Sequence, residues 1–120
     1  MTDQARTLRA LLAHGRIIAA PGAPDALSAR LIARTGFDAV YMTGLGATAS
    51  RLGAPDLGLL SQTEMADQAR AMAAAAGVPV IADADTGYGG PLNLRRVVDD
   101  YARAGIAAFH VEDQQMPKRC

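Results

Sequence analysis

Pro79-Val80-Ile81-Ala82-Asp83-Ala84-Asp85-Thr86-Gly87-Tyr88-Gly89-Gly90 joins an apolar run, a pair of carboxylates and a glycine-rich loop in one short stretch. Residues 79 to 83 lack the polar alternation of a strand that faces water on one side, so they read as a strand of a parallel sheet covered on both faces. Asp83 and Asp85 flank a single alanine where that strand ends, just before the Thr86 to Gly90 loop. Acids so close repel one another unless a cation or a proton lies between them.

The same alternation extends outward in both directions. Upstream, Asp3 to His14 carries Leu8, Leu11 and Leu12 at helical spacing and stops at Gly15. Ile17 to Ala20 predicts a first strand, broken by Pro21-Gly22-Ala23-Pro24. Asp25 is placed to cap a second helix, whose Leu27, Leu31, Ile32 pattern closes at Gly36. Ala39 to Met42 is the next strand. Gly44, Gly46, Gly53, Pro55 and Gly58 then predict a long irregular loop, and Ser61 with Glu64 gives a capping-box signature for a helix to Ala76. Downstream, Pro91 to Ala104 predicts a helix ended by Gly105, and Ala107 to Val111 a fourth strand.

Strands alternating with helices imply a parallel sheet covered by helices, which an open doubly wound sheet and a closed barrel share. Thr43, Asp83, Asp85, Glu112 and Asp113 all fall at the C-terminal ends of strands, where a barrel builds its site, and this placement favours the barrel. Four strands make half of a (β/α)8 barrel. Residues 1–120 are therefore read as a single partial α/β barrel domain, truncated after the fourth strand.

Composition narrows the function classes. Half of the 120 residues are apolar, and Lys plus Arg equal Asp plus Glu at 12 each, so no global field attracts a polyanion. No basic stripe with interleaved aromatics is present, and nucleic acid is an unsuitable partner. The apolar runs are too short for a membrane span, and Asp3 and Arg6 spoil a signal-peptide pattern, which gives a cytoplasmic expectation. The single cysteine, Cys120, has no partner for an internal disulfide.

Asp83, Asp85 and Glu112 stand in register on adjacent strands and offer the oxygen ligands that suit Mg2+ or Mn2+, whereas a lone strand-end acid would as readily cap a helix. Thr43-Gly44-Leu45-Gly46-Ala47-Thr48-Ala49 fits a dinucleotide fingerprint, but its acidic partner by spacing, Glu64, belongs to a helix cap. The other readings of that turn are backbone N–H groups cradling a ligand carboxylate, with the Thr43 hydroxyl as a further donor, or a plain turn that needs glycine. His110, beside Val111, reads as a packed, hydrogen-bonded histidine on a buried strand. Met42, Met65 and Met72 read as core, and Arg95, Arg96, Asp99, Asp100 and Arg103 as a solvated helix face.

Tyr41-Met42-Thr43-Gly44, Pro55-Asp56-Leu57-Gly58-Leu59, Asp83 to Gly89 and His110-Val111-Glu112-Asp113-Gln114 resemble, in order and spacing, the motifs of the isocitrate lyase and phosphoenolpyruvate mutase superfamily. Pro117-Lys118-Arg119-Cys120 is similar to the start of the cysteine motif of its carbon–carbon lyases, most like the 2-methylisocitrate lyase branch. The resemblance implies Asp85 as the principal metal carboxylate, with Asp56, Asp83 and Glu112 holding metal-bound waters around Mg2+ or Mn2+. It implies that Thr43, Gly44 and Leu45, together with Asp83, bind a 2-hydroxy or 2-oxo acid. Cys120 would be the catalytic acid on a mobile loop shared with Lys118, and Tyr41 a partner for the substrate hydroxyl proton. The implied activity is cleavage of a 2-hydroxy polycarboxylate, of the 2-methylisocitrate or dimethylmalate type, to pyruvate or a related 2-oxo acid by a homo-oligomeric enzyme, a dimer or tetramer.

Threonine at 43 replaces the family's common serine, and Leu45 stands where methylisocitrate lyases tend to carry glycine, so the reaction class is better marked than the substrate. The alternatives within the superfamily are a decarboxylase, hydrolase or phosphonomutase acting on oxaloacetate or a phosphonate. Because the later strands of the barrel carry further ligands, the fragment alone is expected to be inactive, keeping at most a binding capacity.

Overall fold

Local signals start most of the helices. A computed structural model describes residues 2–119. The first helix, α1 (Asp3–Ala13), begins where the Thr2 hydroxyl accepts the Ala5 N–H at 3.1 Å, and it buries Leu8. Strand β1 is only Gly22–Ala23, within the segment expected to break a strand, while the expected strand at Ile17–Ala20 is absent and Ile17 is 97% exposed. The reason lies in the flanking prolines. They have no N–H to give a ladder, yet the carbonyls of Pro21 and Ala23 accept from Tyr41 and Thr43 at 3.0 and 3.4 Å, a role an edge strand allows.

Helix α2 (Ala26–Arg34) starts at Asp25, whose carboxylate accepts the Ser28 N–H at 2.8 Å. Its inner face is not the Leu27 and Leu31 stripe, since these are 68% and 54% exposed; Ala29 is fully buried and Ile32 half-buried. Small residues suit this face because α2 packs on the alanine-rich α4 (Gln62–Ala76), which buries Ala66, Ala69 and Ala76 between Met65 and Met72. The capping box of α4 forms as expected, with the Ser61 N–H donating to the Glu64 carboxylate at 2.8 Å.

Between these helices lie strand β2 (Val40–Met42) and a helix the sequence did not announce, α3 (Gly44–Leu52). Thr43 caps it by accepting the Gly46 N–H at 3.1 Å, and Gly53, at φ +63°, closes it. Gly46 sits there for close packing: a Cβ on it would lie 3.1 Å from Pro24 Cβ and closer still to Thr43. Strand β3 (Val80–Asp83), helix α5 (Pro91–Arg103) and strand β4 (Ala108–His110) complete the chain.

All three strand pairings are parallel, in the order β1-β2-β3-β4. A strictly sequential order with right-handed crossovers keeps successive helices on one side of the sheet, whereas a doubly wound sheet reverses direction at a switch point. The sheet is thus an arc of barrel. Its core holds Val40, Met42, Met65, Met72, Val80, Ala82, Val97 and Tyr101, with the methionines inside as expected. Arg96 and Arg103 both pair with Asp100 at 3.4 Å on the outer face of α5. No helix among the described residues is long and apolar enough to cross a membrane.

Candidate active site

The register pairs Asp83 with His110 and Met42 with Ala82, so the ends of β2, β3 and β4 converge. Asp83 is the fixed point of that convergence. It is 6% exposed, one carboxylate oxygen accepts the Gly44 N–H at 3.0 Å, and the other accepts the Asp85 N–H at 2.8 Å. Its own carbonyl accepts the Tyr101 hydroxyl at 2.9 Å. Only glycine serves at 44, because a Cβ there would overlap the Asp83 carboxylate and lie 3.1 Å from its carboxyl carbon.

Asp85 follows in the left-handed region at φ +49°, unusual for a residue with a side chain although aspartate tolerates it better than most. Two hydrogen bonds hold it there: Asp83 takes its N–H, and its carbonyl accepts the Glu112 N–H at 2.8 Å. Backbone and side chain thereby lock the strand ends of β3 and β4 into one corner.

A single ammonium enters this corner. Lys118, 5% exposed, places Nζ 2.8 Å from Asp56, 3.5 Å from Asp85 and 3.7 Å from Glu112. Burial alone would lower its pKa, but the hydrogen bond to Asp56 and the charges of Asp85, Asp56 and Glu112 outweigh burial and hold the lysine protonated. Asp85 shows the complementary imbalance. Burial raises its pKa; the Lys118 charge and hydrogen bond oppose that rise, and Asp83 and Asp56 add to it, leaving a net increase. Among the described residues Asp56, Asp85 and Glu112 thus face one resident cation while Asp83 is held by the Gly44 and Asp85 N–H groups, and the corner is short of positive charge. Hard carboxylate oxygens of this kind fit Mg2+ or Mn2+, which bind through few carboxylates while keeping several waters.

Next to the acids, Tyr41 and His110 form a stacked pair, with ring centroids 5.3 Å apart and the Tyr41 hydroxyl 2.8 Å from His110 Nε2. That nitrogen also lies 3.8 Å from Asp83. Burial first, then the charges of Asp83 and Glu112, push the Tyr41 phenol well above its ordinary pKa and keep it neutral. His110 departs from the sequence expectation: its side chain is 49% exposed, not buried, because it stands at the sheet's outermost strand. With Asp83 and Glu112 it makes a set whose potential ligand atoms all lie within 4.8 Å of one another. Nothing in the sequence marked this role, since it arises from the β3–β4 register. Tyr88 and Tyr101 line the other side of Asp83, each raised in pKa chiefly by burial, Tyr101 to about 12.

Of the residues singled out from the sequence, the structure brings Asp56, Asp83, Asp85, Glu112 and Lys118 together, with Tyr41 beside Asp83 through His110. The turn after β2 is differently employed. The Gly44 N–H is spent on Asp83, the Thr43 hydroxyl accepts the Gly46 N–H, and the Leu45 side chain is 54% exposed. Asp113 points to solvent. Cys120 lies outside the described residues.

Residues 8–119 match the phosphoenolpyruvate phosphomutase family. The chain belongs to that family. It is 56% identical over 118 residues to 2,3-dimethylmalate lyase of Eubacterium barkeri, covering 98% of this chain and 41% of that protein. It is 44% identical to 2-methylisocitrate lyase of Halalkalibacterium halodurans, over 98% of this chain and 39% of the relative. Among solved structures, oxaloacetate acetylhydrolase in complex with oxalate superposes with a TM-score of 0.92 at 48% identity, covering 98% of this chain and 42% of that one. Phosphonopyruvate hydrolase in complex with oxalate and Mg2+ gives 0.91 at 37% identity, over 99% of this chain and 41% of its own. The chain thus spans about two fifths of the relatives it matches, and its four parallel strands correspond to the N-terminal part of their TIM-barrel-like fold.

Proposed function

We propose that this chain supplies the metal-binding corner of a carbon–carbon lyase, which cleaves a 2-hydroxy polycarboxylate of the dimethylmalate or methylisocitrate type to pyruvate or a related 2-oxo acid. The observation that carries the reading is the charge shortfall at the strand ends, where Asp56, Asp85 and Glu112 face one lysine and Asp83 stands beside them on backbone N–H groups. The identity to 2,3-dimethylmalate lyase supports the substrate class. Asp85 is the principal ligand in this reading, with Asp56, Asp83 and Glu112 holding the ion's waters. When bound, Mg2+ or Mn2+ supplies Lewis-acid chemistry, drawing electron density from a coordinated hydroxyl and its neighbouring carboxylate.

The chain's own groups do the remaining work. Tyr41 is held by His110 within reach of the acids, and its phenol oxygen takes the substrate hydroxyl proton as its own proton passes to His110 Nε2, 2.8 Å away. Loss of that proton lets the C–O bond become a carbonyl while the adjacent carbon–carbon bond breaks and its electron pair departs with the other fragment. The Cys120 thiol gives its proton to that carbanionic carbon, and Lys118 offsets the negative charge. Thr43, Gly44 and Leu45 border the substrate carboxylate. Homo-oligomeric assembly and a cytoplasmic location belong to the same proposal.

A second reading, hydrolysis of oxaloacetate, is favoured by the superposition on oxaloacetate acetylhydrolase. The two separate in one assay, with a polypeptide carrying the complete barrel offered 2,3-dimethylmalate, 2-methylisocitrate, oxaloacetate and phosphonopyruvate in the presence of Mg2+ or Mn2+. The lyase reading expects pyruvate or a related 2-oxo acid from the first or second substrate, and a severe loss in Cys120→Ser. Consumption of oxaloacetate or phosphonopyruvate alone, indifferent to that substitution, would contradict it.

A further inference from the structure

Among the described residues only Asp85 and Tyr88 carry a side chain in the left-handed region, at φ +49° and +58°, and both stand in the loop that leaves β3. Gly87 and Gly89, on either side of Tyr88, lie at +90° and +140°. Nearly the whole run from Asp85 to Gly89 thus holds a conformation that L-residues avoid, and such a run persists only where its surroundings over-determine it. The Gly87 N–H, bonded to the Ala84 carbonyl at 2.9 Å, closes the turn around Asp85 and reaches no further. Beyond it Tyr88 turns back into the protein. Its side chain packs against the core and, with Thr48, Leu60 and Met65, lines the small space next to Asp56, Asp83 and Asp85. Its hydroxyl is hydrogen-bonded to that of Tyr101, which donates to the Asp83 carbonyl at 2.9 Å. Asp83 in turn takes the Asp85 N–H, so the loop is tied to one aspartate at both of its ends.

We infer that Tyr88 is the positioning residue of the Asp85 carboxylate: its inserted ring holds the Asp85–Gly89 loop in the left-handed conformation that turns Asp85 into the strand-end corner. This rests on the reading of the corner as a dication site with Asp85 as its principal ligand. A left-handed backbone is uphill for any residue with a Cβ, and burying the apolar area of an aromatic ring offsets that cost. An aromatic needed only to fill the core could sit on a helix or a strand at ordinary φ, as Tyr101 does on α5. Without the ring, the backbone at 88 relaxes and the turn at 85 loses its far tether. The Asp85 carboxylate then leaves its place 3.5 Å from the Lys118 ammonium, and a ligand that is no longer oriented binds its ion more weakly.

Two measurements on the full chain test this without turnover, in the parent, Tyr88→Ala and Tyr88→Phe. Backbone hydrogen exchange is followed at Asp85 and Glu112, whose N–H groups bond Asp83 and the Asp85 carbonyl, with the Val40 N–H on the Pro79 carbonyl as the distant control. Mn2+ affinity is measured by calorimetry. Tyr88→Ala should speed exchange at Asp85 and Glu112 by about tenfold or more while Val40 keeps its protection, and weaken Mn2+ binding by about tenfold. Tyr88→Phe keeps the ring and gives up one hydroxyl bond, so it should lie within about threefold of the parent in both. Should Tyr88→Ala fail to fold, Tyr88→Leu, apolar but without the ring's reach, carries the same expectation. Parent-like exchange at Asp85 and Glu112, equal loss of protection at Val40, or a phenylalanine variant as impaired as the alanine one would overturn the inference. Absence of Mn2+ binding in the parent, with the selective exchange effect intact, would overturn the dication reading and leave the hold of Tyr88 on the loop.

Discussion

Along β2 and β3 the side chains of Val40, Met42, Val80 and Ala82 fill the core, while at the end of β3 and in the segment after β4 Asp83, Asp85, Glu112 and Lys118 crowd into one corner. The two regions obey different physics. Among the aliphatic groups, volume and close packing set the energy, and the loss of one side chain is felt as a cavity. In the charged corner, packing matters less than partner geometry, because each buried acid needs an N–H or a cation. On the proposed function, stability resides mainly in the first region and chemistry in the second, and substitutions should separate them.

The largest expected effect belongs to the charged corner. In a polypeptide carrying the complete barrel, Asp85→Ala should abolish metal-dependent turnover, a loss on the order of a hundredfold or more, while the urea midpoint stays near that of the parent. An unfolded variant would show that the corner is structural after all. In the other region, Met72→Ala empties a fully buried position and should cost about 2–5 kcal/mol in urea unfolding, leaving Mn2+ affinity unchanged in the fraction that stays folded. Gly44→Ala probes the seam between the two. Its Cβ would displace the Asp83 carboxylate, and loss of the buried Gly44–Asp83 hydrogen bond should cost about 1–3 kcal/mol together with metal affinity. A smaller effect is expected from Asp25→Ala, which removes the α2 cap for about 1 kcal/mol. The Ser28 backbone N–H holds the Asp25 carboxyl below its ordinary pKa. That contribution is therefore present above the unfolded value and lost as pH falls through the folded one, so the parent-to-variant gap should narrow in acid.

The legible parts of this fold were those written in neighbouring residues. The Ser61–Glu64 box, the Asp25 cap and the apolar run into Asp83 each act within a few positions, and each appears where the sequence puts it. Local chemistry misled at Ile17–Ala20, where β-prone residues lack a partner strand and the pairing moves to the proline-flanked Gly22–Ala23. It misled again after Thr43, where glycines that suggested a loop instead let a helix pack against Pro24 and Asp83. Leu27 and Leu31 have helical spacing but face outward, because alanines on α2 and α4 already make the contact. At the site, the acids could be placed on strand ends from sequence alone. The Lys118–Asp56 pair spans 62 positions, and the Tyr41–His110 pair 69. Only the sheet register and the course of the segment after β4 bring those partners together.

If the strand-end acids form one cation-binding centre anchored on Asp85, Mn2+ titration of the parent chain beside Asp85→Asn will reveal it. Such a centre gives saturable one-to-one binding in the parent and an affinity weaker by at least about tenfold in the variant. Superimposable isotherms, or no saturable binding to the parent, would contradict it.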